Sequence, residues 1–435
     1  MKKIYQCLAL LFLALPLSAQ VNPKLQAKLD QQAKEIESRV VEWRRNFHQN
    51  PELGNRELKT GAKIAEHLKS LGIKVQYPVA KTGIVGILEG GKPGPVIALR
   101  ADMDALPIVE RNGLPFASTE KTIFNGQEAG VMHACGHDAH MAIMMGVAEI
   151  LSKNKAELKG TVKFLFQPAE EGPPAGEEGG ALLMVKEGVL ENPKVEVIFG
   201  LHMLSLLPSG QLGYRSEGIM AAIDGLKIKV LGRGAHGATP WESKDPIMVA
   251  SQIMSGLQTI ISRQTDLTKA PAVITIGSFH SGNRGNIIPE VAEMQGTIRT
   301  FDLAMRKTLL EKVKLTAEKI AESSGLTAIV EIGEGSPVTY NDPKLTAMMA
   351  PSLQRTVGIS NAVVVAPTTL SEDFSVFQEK VPGLFFFLGA YPAEMKLNNP
   401  PVHHTADFMM DEKSFVTGVK AMLNLTVDYM YAVKK

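Results

Sequence analysis

The chain has 435 residues, of which 45% are hydrophobic and 21% are charged, proportions that are typical of a globular protein. At about 150 residues per domain, this length predicts two or three folding units. The formal net charge of +1 argues against the strongly basic surface of a nucleic-acid-binding protein, so we expect no nucleic-acid partner.

The first residues have the pattern of an export signal. Lys2 and Lys3 form a short positive region, residues 8–17 are an apolar run, and the small residues Ser18 and Ala19 follow. Cleavage after Ala19 would place the protein in the periplasm or outside the cell. The alternative is an uncleaved anchor, but the run is shorter than the about 20 residues that span a bilayer, so we expect no stable membrane insertion after cleavage.

The two cysteines are Cys7, within this signal, and Cys135. The mature chain would keep Cys135 alone and could form no internal disulfide. In an oxidising compartment a free thiol is a liability unless it is buried or bound to something. Cys135 is therefore of interest before any motif is considered.

The following region changes from helical to strand periodicity. Residues 25–71 have apolar positions at helical spacing with a break at 50–54, and a further helix is predicted over 139–151. Short apolar runs bounded by Gly or Pro predict buried strands at 84–88, 96–99, 162–166, 195–199, 362–365 and 384–388. Apolar strands that alternate with helices predict an α/β fold, with a sheet covered on both faces.

The middle of the chain, residues 219–335, has a different pattern. Strands are predicted at 224–231, 272–277, 291–299 and 328–332, and helices at 246–262 and 303–324. The resulting order, β-α-β-β-α-β, is typical of a ferredoxin-like unit. We expect this unit to be inserted between the two parts of a catalytic domain, residues 20–218 and 336–435.

Polar side chains follow four of the predicted strands. They are Asp102 and Asp104, Glu170 and Glu171, His202, and His403 and His404. Because ligands bind beyond the carboxyl ends of the strands in open α/β sheets, these side chains are expected to meet at one edge. This convergence is a stronger signal than any single motif.

The segment Cys135-Gly136-His137 has the residue types of a metal site. A zinc-like ion takes thiolate, imidazole and carboxylate ligands, and Gly136 would permit the sharp turn that points both side chains at one ion. A helix that starts directly after it would favour the thiolate. By spacing alone the motif is weak, and Cys135 could instead be a nucleophile beside a histidine base.

The other candidates also have plain structural alternatives. Glu170 and Glu171 could divide metal binding and proton transfer between them, or could belong to a solvated acidic loop. His202 alone is more often a hydrogen-bonded histidine at a strand end than a ligand. Asp104 could orient a ligating imidazole, or could cap a turn.

Matching segments of a known family occur in order through nearly the whole mature chain. They are residues 44–53 (RRNFHQNPEL), 100–107 (RADMDALP), 132–140 (MHACGHDAH), 166–171 (FQPAEE), 200–202 (GLH), 234–237 (GAHG), 286–289 (NIIP), 296–299 (GTIR) and 371–374 (SEDF). With these segments the sequence resembles the M20 metallopeptidases. The resemblance is to their amidohydrolase branch, which includes hippurate hydrolases, N-acyl-amino-acid amidohydrolases and auxin-conjugate hydrolases.

The resemblance implies a mixed-sheet, zinc-peptidase-like catalytic domain that holds two divalent metal ions. Zinc is expected first, with manganese, cobalt or nickel as alternatives. The implied ligands are Cys135 in the bridging position, His137, Glu171, His202 and His404. Glu170 would be the general base for a metal-activated water.

The resemblance also implies that the inserted unit is a lid and a dimerisation domain, so we expect a homodimer. His236 in this unit would polarise the scissile carbonyl, reaching across the dimer. Asn286 and Arg299 would hold the substrate carboxylate. The structural alternatives are a loop histidine beside glycines for His236, and a strand-surface ion pair for Arg299.

One part of the family pattern is missing here. The last ligand usually lies in a His-x-Pro-x-Phe-like context, and this chain has His403-His404-Thr405-Ala406-Asp407-Phe408, without the proline. Counting back from Phe408 favours His404 over His403.

The implied reaction is hydrolysis of the amide bond of N-acyl amino acids. A dipeptidase or carboxypeptidase-type exopeptidase is the alternative within the same chemistry. A metal-free cysteine hydrolase that uses Cys135, and a metal-dependent binding protein without activity, are the alternatives outside it.

Overall fold

The structure is a computed structural model that describes residues 23–333, 335–392 and 402–433. The predicted export signal and Cys7 lie outside the described residues. None of the described helices is long and apolar enough to cross a bilayer.

Helices and strands alternate through most of the described chain. The helices are α1 (Pro23–Glu35), α2 (Glu37–Gln49), α3 (Leu58–Ser70), α4 (His137–Lys153), α5 (Gly180–Lys186), α6 (Pro246–Gln264), α7 (Leu303–Ser323), α8 (Pro343–Val357), α9 (Phe374–Gln378) and α10 (Phe415–Ala432). The strands are β1 (Lys74–Val79), β2 (Gly83–Glu89), β3 (Lys92–Asp102), β4 (Lys121–Phe124), β5 (Gln127–Gly130), β6 (Lys159–Gln167), β7 (Val197–Pro208), β8 (Leu212–Tyr214), β9 (Glu217–Met220), β10 (Ala222–Leu231), β11 (Ala235–His236), β12 (Ala272–Ser281), β13 (Ile287–Ile288), β14 (Val291–Thr300), β15 (Thr327–Gly333), β16 (Thr339–Asn341), β17 (Ala362–Val364) and β18 (Gly383–Tyr391).

Eight strands form one mixed sheet in the order β1-β2-β6-β3-β7-β18-β8-β17. The central strands β6, β3, β7 and β18 run parallel to one another. Strand β2 pairs antiparallel with β1 and β6 at one side, and β8 pairs antiparallel with β18 at the other. Alternate residues of β3 face opposite cores: Ile97 and Leu99 pack with helices such as α4 and α10, and Ala98 packs with α5 and α9. The predicted α/β fold with a sheet covered on both faces is therefore confirmed.

Several element bounds differ from the sequence prediction. The strand predicted at 195–199 is β7, which continues to Pro208, so His202 lies within a strand. The helix predicted from residue 139 begins at His137. The strand β1 was not predicted, because its residues are alternately exposed and half-buried and form no apolar run.

A second sheet lies in the region predicted to be an inserted unit. Its strand order is β12-β14-β10-β15, and all neighbours are antiparallel. Helices α6 and α7 pack against this sheet, and their buried apolar residues form a core separate from the two cores of the large sheet. The short antiparallel pair β11–β13 is formed by residues shortly after β10 and shortly before β14.

Candidate active site

Three neighbouring parallel strands bring the candidate residues to one edge of the large sheet. Strand β3 ends at Asp102, and β6 ends at Gln167, three residues before Glu170. His202 extends from β7, which pairs with β3 on the side opposite to β6. The turn before α4 adds Cys135, and the segment before α10 adds His404.

The five predicted metal ligands lie together in one cluster. The thiol sulfur of Cys135 is 3.4 Å from Nε2 of His202 and 3.3 Å from Nε2 of His404. Oε1 of Glu171 is 3.0 Å from the same nitrogen of His404 and 4.0 Å from Nε2 of His137. Cys135 belongs to two groups of potential ligands, one with His137 and His202 and the other with Glu171 and His404.

Backbone contacts orient two of these imidazoles. Nδ1 of His137 lies 2.8 Å from the carbonyl oxygen of Asp104, and Nδ1 of His202 lies 2.6 Å from that of Met203. Because Nδ1 donates in both rings, Nε2 is the free acceptor and is directed into the cluster. Asp104 thus contacts a candidate ligand through its backbone oxygen, and its carboxylate oxygen Oδ1 lies 3.3 Å from the same Nδ1.

The structure separates the two adjacent histidines. The backbone of His404 is left-handed, with φ 60°, and its amide donates to the carbonyl of Ala134 at 2.8 Å. The ring of His403 turns away, accepts a hydrogen bond from the amide of Ser205 at 3.0 Å, and packs on Phe408. Of the two, His404 is the one whose ring nitrogen reaches the cluster.

The donor set fits divalent metal ions. Nε2 of His137 is buried and has no hydrogen-bond partner among the described residues. Buried polar atoms without partners are rare because their desolvation is costly. Thiolate, imidazole and carboxylate atoms that converge in this way are the ligand types of zinc and similar ions.

The electrostatics of the cluster disfavour a free thiolate. Burial and the carboxylates of Glu171 and Glu170 raise the pKa of the Cys135 thiol well above its ordinary value. A nucleophilic cysteine needs a lowered pKa, whereas a bound cation would itself favour the thiolate. The hypothesis of a metal-free cysteine hydrolase is therefore opposed by the surroundings of Cys135.

Glu170 lies beside the cluster in an acidic pocket. Its side chain is 9% exposed, and its Oε2 is 3.9 Å from Nε2 of His137. Burial, Glu372 and Glu171 raise the pKa of Glu170 well above its usual range. Burial would also raise the pKa of Glu171, but His404 and His137 hold it below its usual value. The two adjacent carboxylates therefore differ in proton affinity, which suits different tasks.

Sequence reasoning assigned no role to a buried arginine behind the cluster. Arg100 is fully buried, and its guanidinium contacts Asp102 at 2.6 Å and Glu372 at 2.8 Å. Asp102 in turn lies 2.6 Å from Nδ1 of His140. The signal was present, because an arginine inside an apolar strand requires acidic partners.

His140 contacts the surroundings of the cluster through both ring nitrogens. Its Nδ1 contacts Asp102, and its Nε2 accepts a hydrogen bond from the amide of Met203 at 2.8 Å. Both ring nitrogens are therefore occupied. Since Met203 follows His202 directly, this contact fixes the strand at the point where His202 enters the cluster.

A cavity of about 550 Å³ opens in front of the cluster. Cys135, Glu170 and His404 line it, and so does Arg299, which enters from β14. The guanidinium of Arg299 donates to the carbonyl of Thr369 at 2.6 Å. The four-stranded sheet thus delivers a cationic side chain to the cavity that contains the candidate metal ligands.

The structure does not bring His236 and Asn286 into this cavity. Both are exposed and lie next to each other at the β11–β13 pair, where the amide of Gly237 donates to the carbonyl of Asn286 at 2.9 Å. Nδ1 of His236 accepts a hydrogen bond from the amide of Ala238 at 3.0 Å, which places the proton of the neutral ring on Nε2.

Residues 98–428 match the family described as Peptidase family M20/M25/M40. The chain belongs to this family. It is 40% identical over 404 residues to thermostable carboxypeptidase 2 of Saccharolobus solfataricus, covering 92% of this chain and 98% of that protein. It is 37% identical over 381 residues to the N-acetyl-L-cysteine deacetylase of Bacillus subtilis, covering 88% of this chain and 86% of that protein.

A solved structure agrees with this membership. A Bacillus subtilis protein described as a dinuclear metal binding peptidase from M20 family superposes with a TM-score of 0.76 and is 35% identical, covering 92% of this chain and 100% of that one. The resemblance to the M20 metallopeptidases is confirmed. The M20 chain described here is a metal-dependent hydrolase of amide bonds, and its family membership supports divalent metal ions as its cofactor.

Proposed function

We propose that this M20 hydrolase cleaves the amide bond of N-acyl amino acids and releases the amino acid and a carboxylic acid. The observation that carries the proposal is the position of Arg299 in the same cavity as Glu170 and the cluster. An N-acyl amino acid keeps one free carboxylate, and a guanidinium fork matches a carboxylate in geometry and charge. The deacetylase relative, named for an N-acetyl amino acid, supports the same class.

The proposed site would hold two divalent ions, zinc first, with Cys135, His137, Glu171, His202 and His404 as the ligands. Divalent ions supply Lewis acidity that lowers the pKa of water and polarises a carbonyl oxygen. Glu170 accepts a proton from the attacking water and later gives it to the leaving nitrogen.

A second candidate is a carboxypeptidase-type exopeptidase. The carboxypeptidase relative favours it, and a peptide also presents a terminal carboxylate to Arg299. The two substrate classes differ at the other end, where a dipeptide carries a free amine and an N-acyl amino acid carries an acyl group.

The four-stranded unit is proposed to act as a lid and to form a homodimer. Exposed His236 and Asn286 lie outside the cavity of their own chain, so they are free to enter the site of a second copy. With its proton on Nε2, His236 would donate to the carbonyl oxygen of the substrate, and Asn286 would join Arg299 at the carboxylate.

A hydrolysis panel with metal analysis tests the function. We expect the purified protein to contain divalent metal and to hydrolyse N-acetyl or N-benzoyl amino acids, with dipeptides cleaved more slowly. The matching N-acyl amino acid carboxamides lack the charge that Arg299 binds. They should therefore be about 10-fold to 100-fold poorer in kcat/KM, which corresponds to the loss of a charged hydrogen bond.

The variant Arg299→Leu should lower kcat/KM for the acids and remove most of the preference for acids over carboxamides. Arg263→Leu is the matched control, because Arg263 is exposed in the last turn of α6. Faster cleavage of dipeptides would favour the exopeptidase. Activity that survives prolonged chelation but is abolished by iodoacetamide would refute the metal mechanism.

A further inference from the structure

A buried carboxylate outside the cluster contacts the turn that carries Glu170. Glu57 lies at the start of α3 and is fully buried. Its Oε1 accepts a hydrogen bond from the amide of Ala169 at 2.9 Å, and its Oε2 accepts one from the hydroxyl of Thr82 at 2.6 Å. Both oxygens therefore have a fixed donor, and one of these donors is the residue before Glu170.

Ala169 has an unusual backbone conformation. Its φ is 51°, in the left-handed region that L-residues other than Gly, Asn and Asp seldom adopt. Such a conformation persists only where the surroundings determine it. The amide of Ala169 is buried with its residue, so without Glu57 it would lose its acceptor and the turn would lose the contact that defines it.

The amide on the other side of Glu170 is held in the same way. Oδ2 of Asp104 accepts a hydrogen bond from the amide of Glu171 at 2.9 Å. The turn is also closely packed, because a Cβ atom added at Gly54 would lie 3.0 Å from the carbonyl oxygen of Gly172 and 3.2 Å from Cα of Ala169. Glu170 thus sits between two amides that are each anchored to a buried carboxylate.

We infer that Glu57 is a positioning residue for the reaction: by holding Ala169 left-handed, it sets the direction in which the Glu170 side chain leaves the backbone. The inference rests on the proposed role of Glu170 as the general base. Glu57 contacts neither the cluster ligands nor the cavity in front of them. Its contact with the turn is made through the backbone amide of Ala169.

Two substitutions separate the contact of Glu57 from its charge. Glu57→Gln keeps an acceptor oxygen at the same reach and removes the charge. Glu57→Asp keeps the charge and shortens the side chain by one methylene, which withdraws the acceptor from Ala169. We expect Glu57→Asp to lower kcat about 10-fold to 100-fold, as for a misplaced catalytic group, with KM within about 2-fold and unchanged metal content. Glu57→Gln should keep kcat within about 3-fold.

A matched control accounts for lost stability. Asp342 also accepts a hydrogen bond from a backbone amide, that of Leu345 at 2.7 Å, but it does so at the start of α8. Asp342→Ala should lower Tm and leave kcat unchanged. If Glu57→Asp does not fold, Thr82→Val provides a milder test, since it frees Oε2 of Glu57 and should lower kcat about 3-fold.

The outcomes are distinct. Three results would overturn the positioning role. They are wild-type kcat in folded Glu57→Asp, equal losses of kcat in Glu57→Asp and Glu57→Gln, and, if Glu57→Asp does not fold, unchanged kcat in Thr82→Val. A wild-type protein that hydrolyses no N-acyl amino acid would refute the proposed function instead. A fall in Tm without a fall in kcat would show that Glu57 stabilises the fold only.

Discussion

Replacing Glu170 with glutamine is expected to leave the metal content intact and to lower kcat about 100-fold to 10,000-fold, the range of a lost general base. Glutamine has nearly the same shape but cannot take a proton from water. The metal content should persist because the proposed ligand set is complete without Glu170, whose Oε2 lies 3.9 Å from Nε2 of His137, whereas Glu171 lies 3.0 Å from Nε2 of His404. Elemental analysis and steady-state kinetics on the best N-acyl amino acid measure both quantities.

Two neighbouring acids provide the controls for this experiment. Glu171→Gln should lose metal and activity together, because Glu171 lies within the cluster. Glu178→Gln should change neither the metal content nor the activity, because Glu178 is exposed and pairs with Lys186 of α5. Normal turnover by Glu170→Gln would refute the proposed role of Glu170 as the general base. If that variant also retained its metal while the wild-type protein hydrolysed no substrate, a metal-dependent binding protein would be the better hypothesis.

The cluster was predictable from sequence because strand ends are visible as sequence features. The apolar runs that became β3 and β6 stop three and four residues before a carboxylate, that of Asp102 and that of Glu170, and parallel neighbours end at the same edge. His202 shows the limit of this reasoning. It lies inside β7, so it reaches the cluster as a strand residue whose direction is set by the register with β3 and β18.

Contacts between distant segments were not predictable in the same way. Arg100 and Glu372 are 272 residues apart in sequence, and Glu57 and Ala169 are 112 residues apart. Each pair forms only when the sheet has placed its strands, so no local periodicity reveals it. The choice between His403 and His404 likewise depended on a left-handed backbone, which sequence spacing could favour but could not demonstrate.

The exposed position of His236 has a quantitative consequence if the lid of one chain serves the site of another. His236→Ala and Glu170→Gln should each be nearly inactive as homodimers, because each removes one necessary group from both sites. Mixing and re-equilibrating equal amounts of the two variants should make half of all dimers heterodimers. One of its two sites would contain both Glu170 and His236, so activity should recover to about one quarter of the wild-type value.

The control for this experiment uses Arg299, which lies in the cavity of its own chain. In a heterodimer of Glu170→Gln and Arg299→Leu, one site lacks the base and the other lacks the guanidinium, so no recovery is expected. Absence of recovery with His236→Ala, in a mixture shown by mass spectrometry to contain heterodimers, would refute the action of His236 across the dimer. The exposed ring of His236 lies outside the cavity of its own chain. If His236→Ala nevertheless lost activity, the four-stranded unit would have to move its β11–β13 pair towards the cluster of the same chain.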